Sequence, residues 1–131
     1  MIPQTVLIAE DEDEIRDLLE QWLRPMGHTV HAVRNATEGL KLVAVHRIDL
    51  VVTDILMPDG DGLVLIEGLK KAQPDARILA ISGGGRYMDG NEYLRIAKGF
   101  GADFAIMKPF NRVQFLQALA GALAPREKLP V

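Results

Sequence analysis

The chain has 131 residues, 15 basic and 18 acidic for a net charge of -3, with 48% apolar and 25% charged side chains and no cysteine. One domain's worth of chain with this balance excludes a disordered chain, a disulfide scaffold and all thiol or thiolate chemistry. With no face-length cluster of Lys or Arg, direct nucleic-acid binding is not expected. With no apolar run of the roughly 18 residues a membrane span needs, a cytoplasmic address away from membranes is expected.

Five short apolar runs read as strands: Val6 to Ala9, Thr29 to Val33, Leu50 to Thr53, Ile78 to Ile81 and Phe104 to Met107. Four are almost unbroken, as in parallel strands covered on both faces, whereas Thr29-Val30-His31-Ala32-Val33 alternates and reads as an edge strand. Helical spacing of Ile15, Leu18, Leu19, Trp22, Leu23 and Met26 predicts a first helix from Glu12 to Met26, stopped by Gly27. Asn35 or Thr37 caps a second through about His46, and Asp61 and Gly62 open a third that ends before Pro74. Gly90 to Phe100 carries a fourth, and Asn111 caps a fifth that Pro125 breaks. Residues 1–124 are expected to form the domain and 125–131 a tail.

The βα alternation predicts a doubly wound five-stranded parallel sheet with five helices in three α/β/α layers. The flavodoxin-like order 2-1-3-4-5 accommodates it, with strand 2 at an edge. In such sheets the site lies beyond the C-terminal strand ends, which here carry Glu10-Asp11, Asp54, Ser82 and Lys108-Pro109. Crowded carboxylates repel one another unless a cation sits among them, and an all-oxygen set suits Mg2+. That ion keeps coordination positions open for a phosphoryl oxygen, and the lysine and serine complete a charge-stabilising cradle.

VLIAEDEDEIRDLL, DLVVTDILMPDGDGL, ILAIS and GADFAIMKPF together resemble the motifs of response-regulator receiver domains, over essentially the whole chain. The resemblance implies that Asp54 accepts a phosphoryl group from the phosphohistidine of a sensor kinase or a histidine phosphotransfer protein. It implies Mg2+ on Asp11 directly, on Glu10 through water, and on Asp54 and the backbone carbonyl of Leu56. Lys108 would pair with the phosphoryl group, and Ser82 would move to hydrogen-bond it and report the modification. Such a domain modifies and demodifies only itself and is not a turnover enzyme. Ile15 and Leu18 lie where receivers dock the kinase's histidine-bearing helices. With no output domain after the fifth helix, a stand-alone receiver is expected. Its signal would leave through contacts with an unknown downstream protein or by onward phosphotransfer.

Two departures stand out. The family's aromatic residue three positions before the lysine is Ala105 here, and strand alternation turns Phe104 to the other face, leaving Tyr87 or Tyr93 to supply a ring. The connection from Ser82 to Gly101 is longer than the family's by roughly one helical turn, and its Gly83-Gly84-Gly85 reads as a mobile loop ahead of an anion cradle.

Glu12, Asp13 and Glu14 read as a solvated face favouring a helix N-terminus. His28, His31 and His46 lack zinc-site spacing and read as surface or strand-edge residues, and Met57 as core. Asp59-Gly60-Asp61-Gly62 is no EF-hand, because Leu63 and Val64 stand where a ligand and a glycine are needed. A haloacid-dehalogenase-type phosphohydrolase would use Asp11 and Asp13 but leaves Asp54-Met57-Pro58 unexplained. A phosphorylation-independent module on the same fold is the remaining alternative.

Overall fold

Short runs of Val, Ile and Leu can bury both faces only inside a sheet whose two sides are covered. In a computed structural model, which describes residues 2–55, 57, 62–83 and 90–125, they do so. The strands are β1 (Thr5–Ala9), β2 (Thr29–Val33), β3 (Leu50–Asp54), β4 (Arg77–Ser82) and β5 (Phe104–Met107). The helices are α1 (Asp13–Leu23), α2 (Ala36–Val45), α3 (Gly62–Ala72), α4 (Gly90–Gly99) and α5 (Arg112–Leu123). All pairings are parallel and the order is β2-β1-β3-β4-β5, the expected doubly wound arrangement.

The period-two alternation divides the core. Val6, Ile8, Leu50, Val52, Leu79 and Ile81 meet Leu19, Leu23, Phe115 and Leu119 of α1 and α5 on one side. Leu7, Val51 and Ile78 meet Val43, Leu65, Ile66 and Leu69 of α2 and α3 on the other, where Met57 is also buried. Asn35 rather than Thr37 caps α2, its side chain accepting from Glu38 N–H at 2.8 Å. Asn111 and Gln114 form a reciprocal capping box at α5.

α2 and α3 touch through paired notches. A Cβ on Gly39 would lie 3.1 Å from Leu65, and one on Gly68 would lie 2.4 Å from Leu40, so each helix lends a glycine to the other's leucine.

Two expectations are corrected. The first α-helix stops at Leu23 and continues as a 3-10 turn over Arg24–Met26, because Pro25 has no N–H to extend the α pattern. β5 is not covered on both faces: Phe104 and Met107 are 39% and 41% exposed, since it is the second edge of the sheet. Its alternation holds, with Ala105 packed beside Ala80 and Ala97 and Phe104 against Gly121 of α5. Of the two places read for His28, strand-edge packing holds: it is buried just before the edge strand β2, and its Nδ1 accepts from the Gln4 N–H at 2.9 Å.

Candidate functional site

Parallel register delivers the strand-end residues to one edge. Ala9 of β1 faces Thr53 of β3, so Glu10 and Asp54 emerge side by side. Ser82 faces Met107, and the Lys108 N–H donates to the Ser82 carbonyl at 2.7 Å, so the lysine leaves β5 toward the same edge. Glu10 is fixed through its N–H to the Val33 carbonyl at 3.1 Å, and its own carbonyl accepts from Arg16 Nη1 at 3.0 Å. The Arg16 guanidinium also pairs with Asp13, which holds that exposed carboxyl below its usual range.

Behind Asp54, the chain permits no side chain on Gly62. A Cβ there would lie 2.1 Å from the Asp54 carbonyl oxygen and 2.9 Å from Thr53 Oγ1. The Gly62 N–H donates to the Ile55 carbonyl at 2.7 Å, so the first residue of α3 sits directly on the backbone of β3's last residue.

Lys108 Nζ is the centre of the site. It lies 2.7 Å from Asp54 Oδ2, 2.9 Å from Glu12 Oε1 and 2.5 Å from Glu10 Oε1. The first two contacts are hydrogen bonds. The third is a contact of charges without that geometry, so neither oxygen of the fully buried Glu10 has a hydrogen-bond partner. Burial pushes the Glu10 carboxyl up to about 8, with Asp54's charge adding to it and Lys108 pulling it back. Burial would lower Lys108, but its contacts with Asp54, Glu10 and Glu12 overcome that and hold it above its ordinary value.

Carboxylate oxygens of Glu10, Glu12 and Asp54 lie within 4.8 Å of one another. A buried carboxylate whose oxygens both lack hydrogen-bond partners is costly to hold, and a hard cation among these oxygens would relieve it. The donors present therefore fit Mg2+, which takes oxygen ligands from only one or two carboxylates and keeps its remaining waters.

The structure thus brings together Glu10, Asp54, Lys108 and, buried at the end of β4, Ser82. It differs from the expected carboxylate set in one member. Asp11 is exposed and outside the cluster, and Glu12, read from the sequence as a solvated helix-start residue, is inside it. Glu12 is the N-cap residue of α1, yet its side chain makes no cap hydrogen bond because it reaches Lys108 instead. One signal was present: period-two alternation carried past the end of β1 puts Glu10 and Glu12 on one side and Asp11 on the other. Leu56, Pro58, Asp59 to Asp61, Gly84 to Asp89 with Tyr87, the 126–131 tail and the Tyr93 side chain lie outside the described residues.

Residues 6–120 match the family model of the response regulator receiver domain. The chain belongs to the response regulator receiver family. Its sequence is 33% identical over 130 residues to the DNA-binding transcriptional regulator NtrC of Rhizobium meliloti, covering 99% of the receiver and 26% of that protein. It is 32% identical over 135 residues to the response regulator protein PilR of Pseudomonas aeruginosa, covering 100% and 29% respectively. The receiver therefore spans about a quarter of the length of each. Among solved structures, a CheY-like response regulator receiver domain protein from Methanospirillum hungatei superposes with a TM-score of 0.79 at 29% identity, covering 90% of this chain and 91% of that one. Response regulator receivers are signalling domains of two-component systems, and the fold and order of strands described above are those of this family. Among the described residues, no helix is long and apolar enough to cross a membrane.

Proposed function

We propose that this receiver takes a phosphoryl group onto Asp54 from the phosphohistidine of a sensor kinase or a histidine phosphotransfer protein, in a Mg2+-dependent reaction. The observation that carries the reading is the buried Glu10 carboxylate, without hydrogen-bond partners, beside an Asp54 carboxylate that already shares an ammonium. An Asp54 oxygen is the nucleophile. Lys108, 2.7 Å away, neutralises charge on the incoming phosphoryl oxygens and orients them. Ser82, at the end of the neighbouring strand, supplies a hydroxyl to a phosphoryl oxygen once the group is in place. Glu10 and Asp54 would hold the metal from within the cluster, with Asp11, which would have to turn inward from its exposed position, and the backbone carbonyl of Leu56 completing the set; the metal would supply charge neutralisation at the phosphoryl oxygens. Ile15 and Leu18 on α1, next to the site, are the docking contacts for the donor's helices. The modified state leaves through protein contacts or by onward phosphotransfer, and the chain turns over no separate substrate.

The test is intact mass after incubation with a small phosphodonor and Mg2+. A single phosphoryl adduct, absent from Asp54→Asn and from a chelated control, is expected. An unmodified wild type with its fold confirmed by circular dichroism would refute the reading.

A further inference from the structure

Beside the acceptor lies a cavity of about 360 Å³ whose wall includes both Lys108 and Glu12. Lys108 belongs to both places, since its Nζ also touches Asp54. The rest of the lining is mostly apolar, with Ile15, Leu18 and Trp22 from α1 facing Phe110 from the turn after β5. Trp22 and Phe110 lean on the fully buried Phe115 at centroid distances of 5.6 and 6.0 Å, and meet each other edge-on at 6.3 Å. Two rings fixed on a buried third form a wall in place before any ligand arrives. The volume falls within the range of about 300–1,000 Å³ that accommodates small molecules.

A transferring phosphoryl group is polar on every face and gains nothing from such a wall. The part of a donor that does gain is the part that leaves. The geometry points to a leaving-group subsite: the cavity takes a planar apolar ring from a small acyl phosphate, whose carboxylate end departs beside the Lys108 ammonium. This rests on Asp54 being the acceptor and adds the class of small donor that suits it. In the step, an Asp54 oxygen forms a new bond to phosphorus. The bond from phosphorus to the bridging acyl oxygen breaks, and its electron pair leaves with the aryl carboxylate. No proton or further reactant is needed.

The experiment compares benzoyl phosphate with acetyl phosphate, which differ by a phenyl ring in place of a methyl group. Initial rates of adduct formation on the 131-residue chain are read by intact mass in Mg2+, each divided by that donor's own hydrolysis rate in the same buffer. A ratio of about tenfold in favour of the aromatic donor is expected, the low end of what an apolar pocket yields, because Leu18 stays 42% exposed and the wall is open to water. Leu18→Ser and Ile15→Ala should each cut that ratio at least twofold. Because the readout is a ratio within one protein, a loss of folded fraction does not move it. A ratio near one with Asp54 still modified by both donors overturns the subsite and leaves the acceptor standing. A high ratio that neither substitution moves also overturns it. No adduct from either donor on folded protein, or an adduct that persists in Asp54→Asn, overturns the acceptor reading and the subsite with it.

Discussion

Replacing Gly62 by alanine tests whether α3 is seated directly on the backbone of Asp54. The new methyl would start 2.1 Å from the Asp54 carbonyl oxygen and 3.0 Å from its carbonyl carbon, and these are backbone atoms that no rotamer change can move aside. Overpacking of this kind costs about 3 kcal/mol, the upper part of the usual range. Alanine's better helix propensity returns at most about 1 kcal/mol. The net loss of about 2 kcal/mol corresponds to a fall in Tm of about 8 °C for a domain of this size. Gly83→Ala is the matched control, because among the described residues a Cβ there would meet only the Lys108 stem at an ordinary 3.5 Å, and its Tm should hardly move. Thermal melts followed by circular dichroism, with urea titrations for the free energies, give both numbers. A Gly62→Ala variant melting within about 1 °C of the wild type, as judged against an expected shift of this size, would show that α3 does not press on Asp54.

Lys108→Met removes a cation that Glu10, Glu12 and Asp54 share. In chelator the variant should lose about 3 kcal/mol, the usual cost of stripping one partner from a buried charge pair. Added Mg2+ should then raise its Tm more than it raises the wild type's, since binding to the folded state stabilises by mass action. A variant as stable as the wild type in chelator would remove Lys108 from the role of internal counterion. For His28, burial holds the folded pKa below its ordinary value of about 6.5, so the unfolded chain takes up this proton first as pH falls. Its contribution is therefore complete above pH about 6.5 and lost as the pH drops toward the folded pKa. In urea titrations across that window, His28→Gln should flatten the slope of stability against pH. An unchanged slope would place the dependence elsewhere.

The fold was legible because buried parallel strands have few sequence solutions. Val6 to Ala9 and Leu50 to Thr53 are too short for buried helices and too apolar for loops, and the family resemblance supplied their order. Phe104 to Met107 misled for the same reason: an apolar run reads as buried whether a neighbouring strand covers it or solvent does. At the site, Glu10, Asp54, Ser82 and Lys108 each stand at or just past the end of a strand, which made them visible. Glu12 does not. It stands among five consecutive acids, and its partner is 96 residues away, so only the alternation carried past β1 separates it from Asp13, which pairs instead with Arg16. His28 could be narrowed no further than the surface or strand-edge packing, because the Gln4 N–H that its Nδ1 accepts from is 24 residues away.

The reciprocal glycine and leucine notches between α2 and α3 act as a key against sliding. With Gly39 facing Leu65 and Gly68 facing Leu40, a slip of one helical turn, about 5.4 Å, finds no acceptable fit. In one direction it sets leucine against leucine in space already filled. In the other it sets glycine against glycine and opens a gap. Only one longitudinal setting of α3 is therefore permitted, and that setting brings its first residue, Gly62, against the carbonyl of Asp54. The depth at which the backbone of Asp54 is buttressed is thus gauged from Gly39 and Leu40, more than a dozen residues earlier in the chain, on a helix that contributes no side chain to the acidic cluster.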